Sequence, residues 1–116
     1  MEPNIPGFGL LTQLLNANAL RHRVIAQNVA NVNTPGYRRQ EVAFETDLAK
    51  ALTSSSGTAP VRPRVVTADG PERVDGNTVD IDREMNDLTR NALLYQAATQ
   101  IVASRVASMR SAISGR

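Results

Sequence analysis

The stretch Asn28–Tyr37 reads NVANVNTPGY and ends a long run of apolar residues with a dense set of turn-forming residues. Asparagine favours helix ends over helix interiors. Thr34 precedes a proline, which pushes it towards extended geometry. Pro35 and Gly36 fit the two central positions of a type II turn, in which glycine supplies the positive φ. The sequence therefore predicts a helix that ends near residue 32 and is followed by a sharp turn.

Upstream of this stretch, apolar residues recur at steps of three and four, which predicts an amphipathic helix over residues 8–32. The repeat consists of Leu10, Leu11, Leu14, Leu15, Ala17, Leu20, Val24, Ile25 and Val29. Downstream, we expect residues 33–53 to form the turn, an extended segment and then a short helix.

Residues 54–78 have the composition of an insert. The segment begins with Ser, Gly and Thr residues typical of linkers. A short β-branched run at 62–66 suggests a strand, although its proline weakens that prediction. Two Asp-Gly pairs, at 69–70 and 75–76, are turn signals. We therefore expect a flexible or β-like insert.

Asp80 is the predicted N-cap of a second helix over residues 80–114, with Asp82 and Glu84 in its first turn. Apolar residues then recur with the spacing of a heptad seam, completed by Thr99. We call the following set the assembly seam: Met85, Leu88, Ala92, Tyr95, Val102, Val106, Met109 and Ile113.

Together these patterns predict one mainly α-helical domain over residues 1–116. Its long N- and C-terminal helices should pack as an antiparallel, coiled-coil-like pair, with the irregular or β-like insert between them. The chain has no cysteine, which excludes disulfides and thiolate metal sites. No apolar run approaches the roughly 20 residues of a membrane span. The net charge of +2 is weak support for a nucleic-acid partner.

No group of residues supplies the parts of a catalytic, cofactor or metal site. The single histidine, His22, lacks partners for a metal or a catalytic triad. The carboxylates of 80–87 lack the spacing of a calcium loop, and helix capping explains them better. We expect the arginines at 38–39 and 62–64 to form ion pairs between subunits or to lie on solvated faces. The pattern indicates assembly rather than catalysis.

The NVANVNTPGY stretch resembles the signature N-x-A-N-x-x-T-P-G-Y of bacterial flagellar rod and hook proteins. The matching residues are Asn28, Ala30, Asn31, Thr34, Pro35, Gly36 and Tyr37. Within that family, residues 75–85, 95–97 and 109–113 are similar to the proximal rod subunits. The resemblance covers the chain except for the insert.

The resemblance implies a structural subunit of the flagellar basal-body rod, the drive shaft that crosses the periplasm. Such a subunit is made in the cytoplasm, exported by the flagellar type III apparatus without a cleaved signal peptide, and polymerised through its terminal helices. The implied partners are other rod subunits, the rod-base adaptor protein, the inner-membrane (MS) ring and the type III export gate. No nucleic acid, metal or cofactor is implied.

Phe44 and Leu48 fit the Phe-x-x-x-apolar element by which exported rod and hook subunits engage the export gate. The alternative is that the two side chains pack one helical turn apart against the terminal helices.

Two other interpretations of the whole chain remain open. The first is a different rod subunit of the same family, because these subunits share the Thr-Pro-Gly-Tyr element. The second is a basic helical module that binds nucleic acid or an acidic partner, which should bind with a measurable salt dependence.

Overall fold

The computed structural model describes residues 8–54 and 60–115. Within these ranges the chain forms three helices and two strands in the order α1 (Phe8–Ala30), β1 (Gln40–Ala43), α2 (Glu45–Thr53), β2 (Arg64–Thr67) and α3 (Ile81–Ser114). The predicted mainly helical fold, with long terminal helices and a small β-like insert, is confirmed.

The two long helices pack against each other in antiparallel fashion. Near one end of the pair, Asn28 of α1 donates a hydrogen bond to Glu84 of α3. Further along, Asn91 of α3 donates to the carbonyl oxygen of Asn18 on α1. Position therefore rises along α3 as it falls along α1. At 1.5 Å per residue α3 is about 50 Å long, and the described chain is elongated, with a longest dimension of 64 Å.

The helix ends follow the predicted capping chemistry. The Asp80 side chain accepts hydrogen bonds from the backbone amides of Asp82 at 3.1 Å and Arg83 at 3.5 Å, which confirms it as the N-cap of α3. Gly115 ends the helix in the left-handed region with a φ of 71°. Such a conformation favours glycine because it has no Cβ.

The predicted turn after α1 is also present. The amide of Tyr37 donates to the carbonyl oxygen of Thr34 at 3.2 Å, and Gly36 has a φ of 73°. The bond and the positive φ at the third residue are those of a type II turn. The chain therefore leaves α1 sharply and enters β1 beside the helix pair.

Strand β1 pairs with β2 in an antiparallel two-stranded sheet. The register places Gln40 opposite Thr67 and Ala43 opposite Arg64. Strand β2 begins directly after Pro63, so the proline does not interrupt the ladder. The sheet fastens part of the predicted insert to the segment that follows the turn. Residues 55–59 of the predicted linker lie outside the described residues.

The core is small and lies where these elements meet. Ala17, Val24, Val42 and Phe44 form its buried centre, with Leu14, Leu20, Leu48 and Val61 packed around it. The buried polar residues are almost as numerous as the buried apolar ones, and they are Asn18, Asn28, Arg39, Asn77, Thr78, Glu84 and Asn91. A buried polar group is costly unless it has a partner, so these residues limit how the elements can be arranged.

The buried face of α3 is rotated by about one residue from the first half of the assembly seam. Its buried residues are Glu84, Asn91 and Ala98, spaced seven apart. Met85 is 50% exposed and Tyr95 is 45% exposed. The rotation brings polar side chains with specific partners on α1 and β1 into the interface.

The second half of the seam is in part less exposed than the first. Val102, Val106 and Met109 are half-buried, whereas Ile113, near the end of α3, is 80% exposed. Across residues 8–54 and 60–115, no helix combines the length and the hydropathy that crossing a bilayer requires.

Candidate functional site

Asn28 lies where α1, β1 and α3 meet, and its side chain is fully buried. Its amide group pairs with the backbone of Gln40: Nδ2 donates to the carbonyl oxygen at 2.7 Å, and Oδ1 accepts from the amide at 2.9 Å. Nδ2 also donates to Oε2 of Glu84 at 3.2 Å. The backbone of Gln40 therefore fixes which way the Asn28 amide points, and a donor faces Glu84.

Glu84 is fully buried and accepts from two donors. Arg39 Nε donates to its Oε1 at 2.7 Å, while Asn28 Nδ2 donates to its Oε2. A carboxylate is the acceptor-only group that satisfies both contacts. A glutamine at this position would turn an NH₂ group towards one of the two donors. The charge of Glu84 is thus required by its neighbours and compensated by Arg39.

Arg39 contacts three carboxylates from two elements. Besides Glu84, it pairs with Glu41 at 3.3 Å and lies 3.8 Å from Asp87. Burial alone would lower the pKa of the Arg39 guanidinium, but the hydrogen bond and charge of Glu84, followed by those of Glu41, raise the pKa above its ordinary value. The guanidinium therefore stays charged in a buried position and ties β1 to α3. We call Asn28, Tyr37, Arg39, Asn77 and Glu84 the polar junction.

Asn77 joins the insert to the end of α1. It is fully buried, and its Nδ2 donates to the carbonyl oxygens of Asn31 at 2.9 Å, Val32 at 3.1 Å and Thr34 at 2.8 Å. Its Oδ1 accepts from the amide of Val79 at 2.7 Å. One side chain thus satisfies carbonyl groups left open where α1 ends and positions the start of α3.

Replacing Asn77 by Ala should lower the free energy of unfolding by about 2 kcal/mol, because the buried amide of Val79 loses its acceptor. Replacing it by Asp should cost more, because a carboxylate oxygen would then face three carbonyl oxygens. Urea denaturation followed by circular dichroism measures both effects. The control is Asn33→Ala, since Asn33 is exposed. Equal midpoints for the Asn77 variants and the control would contradict this role.

Tyr37, the last residue of the signature, lies over the junction. Its hydroxyl donates to Oδ1 of Asn28 at 3.4 Å. Burial, and then the negative charge of Glu84, raise the pKa of the Tyr37 phenol above its usual 10.0. The folded state therefore favours the neutral phenol.

This shift predicts a loss of stability in alkali. The contribution of Tyr37 is complete below about pH 10, its unfolded pKa, and is lost as the pH rises through the higher folded pKa. The urea midpoint should consequently fall as the pH rises above about 10, and less so in Tyr37→Phe. Tyr95→Phe is the matched control, because Tyr95 is 45% exposed. If both variants lose the same stability over this range, Tyr37 is not responsible.

The other signature residues shape the turn. Asn31 donates through Nδ2 to the carbonyl oxygen of Gln27 and accepts from the Thr34 hydroxyl at 3.1 Å. Gly36 donates its amide to the carbonyl oxygen of Asp75 at 2.8 Å. Ala30 is the last residue of α1, and Pro35 is exposed in the turn. The signature thus joins three elements of one chain and contains no reactive group.

The structure changes the interpretation of three residues, Arg39, Glu84 and Asn77. Arg39 was expected on a solvated face or in an ion pair between subunits, but it is buried and paired within the chain. Glu84 does lie in the first turn of α3, as helix capping requires, yet its larger role is the buried pair with Arg39. Asn77 was predicted only as part of a turn. Local sequence patterns hold no signal for these pairs, because the partners are 45 and 46 residues apart.

Phe44 and Leu48 pack in the core. Phe44 is 1% exposed and immediately precedes α2, and Leu48 packs against the same cluster one turn later. The amide of Leu48 donates to the carbonyl oxygen of Phe44 at 2.8 Å. Of the packing that the alternative interpretation predicts, the part against α1 is therefore present. Among the residues that the structure describes, no cluster of three or more His, Cys, Asp or Glu could hold a metal ion.

Sequence comparison agrees with a helical subunit built around this signature. Residues 15–38, which include most of α1 and the turn, match the family described as flagella basal body rod protein. The class of protein that this match indicates is the flagellar basal body rod proteins.

Relatives that match over most of their length identify the family more narrowly than residues 15–38 do. The flagellar basal body rod protein FlgB of Borrelia hermsii is 33% identical over 121 residues, covering 86% of this chain and 90% of the relative. FlgB of Escherichia coli is 32% identical over 120 residues, with 84% and 85% covered, and FlgB of Bacillus subtilis is 27% identical over 117 residues, with 90% and 91% covered. The chain belongs to the FlgB family of flagellar basal body rod proteins. It is a structural protein of the rod.

Proposed function

We propose that this chain is polymerised through its terminal helices in the proximal part of the rod, after export by the flagellar type III apparatus without a cleaved signal peptide. The observation that carries this proposal is that different residues make the contacts within the chain and form the surfaces open to neighbours. The signature residues are used within the chain, where they hold the helix pair and the insert together. Large parts of both flanks of α3 remain exposed, and these are the surfaces available to neighbours.

The assembly seam supports contacts between subunits mainly through its first half. Met85, Ala92 and Tyr95 are exposed on one flank of α3. Leu93 and Leu94, which are 62% and 51% exposed, lie on other sides of the same helix. Exposed apolar residues spread around a helix favour contact with more than one neighbour. The proposed partners are other rod subunits, the rod-base adaptor protein and the inner-membrane (MS) ring.

The experiment that tests this function is complementation. Deleting the gene in its source organism should abolish swimming, and a tagged chain that restores swimming should co-purify with basal bodies. Antibody labelling should place it in the rod. Motility without this chain, or a restoring chain that is absent from purified basal bodies, would refute the proposal.

We further propose that Phe44 and Leu48 engage the export gate. Because Phe44 is buried in the folded chain, the gate must meet this element before the chain folds. Phe44→Ala should therefore reduce the amount exported, although it also weakens the core. Phe44→Leu, which keeps a buried apolar side chain, separates the two effects. Reduced export of both variants, with only Phe44→Ala less stable to urea, supports a gate element, whereas export that follows stability refutes it.

A further inference from the structure

Strand β2 has one edge that is paired and one edge that is open. The amide of Ala68 donates to the carbonyl oxygen of Arg39 at 3.0 Å, so the backbone of Ala68 faces β1. Backbone groups alternate sides along a strand. The amide and carbonyl groups of Val65 and Thr67 therefore point away from β1. Within the part of the chain that the structure describes, no hydrogen bond uses these four groups.

The outer edge of β1, in contrast, is used within the chain. Gln40 lies opposite Thr67, and both of its backbone groups are bonded to the Asn28 side chain. The carbonyl oxygen of Val42 accepts from Arg21 at 3.3 Å. Directly opposite residues in an antiparallel ladder either face each other or both face away, so the outward Gln40 confirms the outward direction of Thr67.

The open edge of β2 is accessible and suited to pairing. Val65 is 46% exposed, and Arg64 and Thr67 are also exposed. Three of the four residues of β2 are β-branched, which favours a strand. Pro63 precedes the strand, so no proline interrupts the edge. Two strands alone form a marginal sheet, and an exposed edge of this kind is a template for a further strand.

The charge beside this edge is positive. Arg62 is exposed, and none of the carboxylates in the described chain forms an ion pair with it. Arg64 is already paired with Asp47 at 2.9 Å. Asp69 follows the other end of β2. A strand that pairs with β2 and compensates Arg62 must therefore carry its own carboxylate.

Neither strand of a second copy meets these requirements. Strand β1 has no open outer edge. Two β2 strands that pair antiparallel about residue 66 use all the outward groups, but they place Arg62 of one copy opposite Gly70 of the other and Arg64 opposite Ala68. No carboxylate then meets Arg62. Such a two-fold contact also closes on itself, whereas a rod needs contacts that continue.

We propose that an extended segment of a different basal-body protein adds to β2 as a third strand. It bonds to the outward backbone groups of Val65 and Thr67, and it carries an Asp or Glu beside Arg62. Backbone pairing gives such a contact its affinity, and side chains give it specificity. This inference rests on the proposed function, because it places the chain among neighbours, and it names the chemistry of one of them.

Hydrogen exchange tests the pairing directly. In the purified chain, the amides of Val65 and Thr67 should exchange fast, whereas the amide of Val66, which faces β1, should exchange slowly. In basal bodies assembled with the wild-type chain, we expect the two outward amides to slow at least several-fold. Unchanged exchange of both amides would overturn the third strand and leave the rod function intact.

A proline variant removes one outward amide without touching the ladder to β1. Thr67→Pro should keep a urea midpoint near that of the wild type, while its amount in basal bodies should fall several-fold. Thr67→Val, which keeps the amide, is the matched control and should be incorporated normally. Val66→Pro removes an inward amide and should lower the urea midpoint. Normal incorporation of Thr67→Pro would overturn the proposal. If Thr67→Pro fails to fold, exchange in the wild-type chain decides.

The charge and the origin of the strand are tested separately. Arg62→Glu should reduce incorporation several-fold, whereas Arg62→Lys keeps the charge and should not. Equal incorporation of the two would overturn the carboxylate. Benzoylphenylalanine in place of Val65 should cross-link on illumination to an acidic segment of another basal-body protein. A product that joins two copies of this chain would overturn the proposal. Absence of the wild-type chain from basal bodies would instead refute the proposed function.

Discussion

Replacing Arg39 by Met is expected to lower the free energy of unfolding by about 3–5 kcal/mol, the range found when one partner of a buried ion pair is removed. The variant leaves the fully buried carboxylate of Glu84 without its cation. Since small domains are stable by only about 5–15 kcal/mol, such a loss brings the chain close to unfolding. Urea denaturation monitored by circular dichroism measures it.

The adjacent arginine provides the control. Arg38 is 53% exposed and pairs with Glu72 at the surface, so Arg38→Met should cost no more than about 1 kcal/mol. The double variant Arg39→Met/Glu84→Met should recover much of the loss, because it removes both buried charges. The interaction energy then follows from the double-mutant cycle. Similar urea midpoints for Arg38→Met and Arg39→Met would show that the buried pair does not stabilise the fold.

Replacing Val102 by Asp is expected to abolish swimming and to keep the chain out of basal bodies. Val102 belongs to the part of the assembly seam that is half-buried. A carboxylate there would become buried without a cation when neighbours cover the helix pair, and buried unpaired charges are strongly unfavourable. Swim-plate assays and immunoblots of purified basal bodies measure the outcome.

Ser104→Asp is the matched control, because Ser104 is exposed and lies two residues further along the same helix. It introduces the same charge and should leave swimming unchanged. The circular dichroism spectrum of purified Val102→Asp separates a defect in assembly from one in folding. Normal swimming in the Val102 variant would show that this part of α3 is not packed in the rod.

Much of the fold could be predicted from local patterns in the sequence. Three- and four-residue spacing of apolar side chains predicted both long helices, because an amphipathic helix must bury one stripe. Asp80 was identifiable as an N-cap since its side chain satisfies amides a few residues away. Pro35-Gly36 predicted the turn because glycine alone adopts a positive φ without steric cost.

The polar junction could be predicted only in part from the sequence. The signature includes Asn28 and Tyr37, and the sequence marks both residues through it. That Arg39 and Glu84 would be buried together was not predicted, because an arginine beside a turn and a glutamate in a first helical turn are usually solvated. The buried face of α3 could likewise be predicted only in part from the assembly seam. Periodicity placed Met85 and Ala92 on the contact face, yet specific partners turned Glu84 and Asn91 inward.

The sequence by itself determined that two long helices flank the insert, the N-cap of the second helix, the turn after the first and the family to which the chain belongs. These are properties of neighbouring residues, set by backbone sterics, capping and hydrophobic spacing. Tertiary structure alone decided which face of α3 is buried and which polar groups meet there. Those choices depend on pairing donors with acceptors more than 40 residues apart, since a buried charge or amide is stable only where its partner lies.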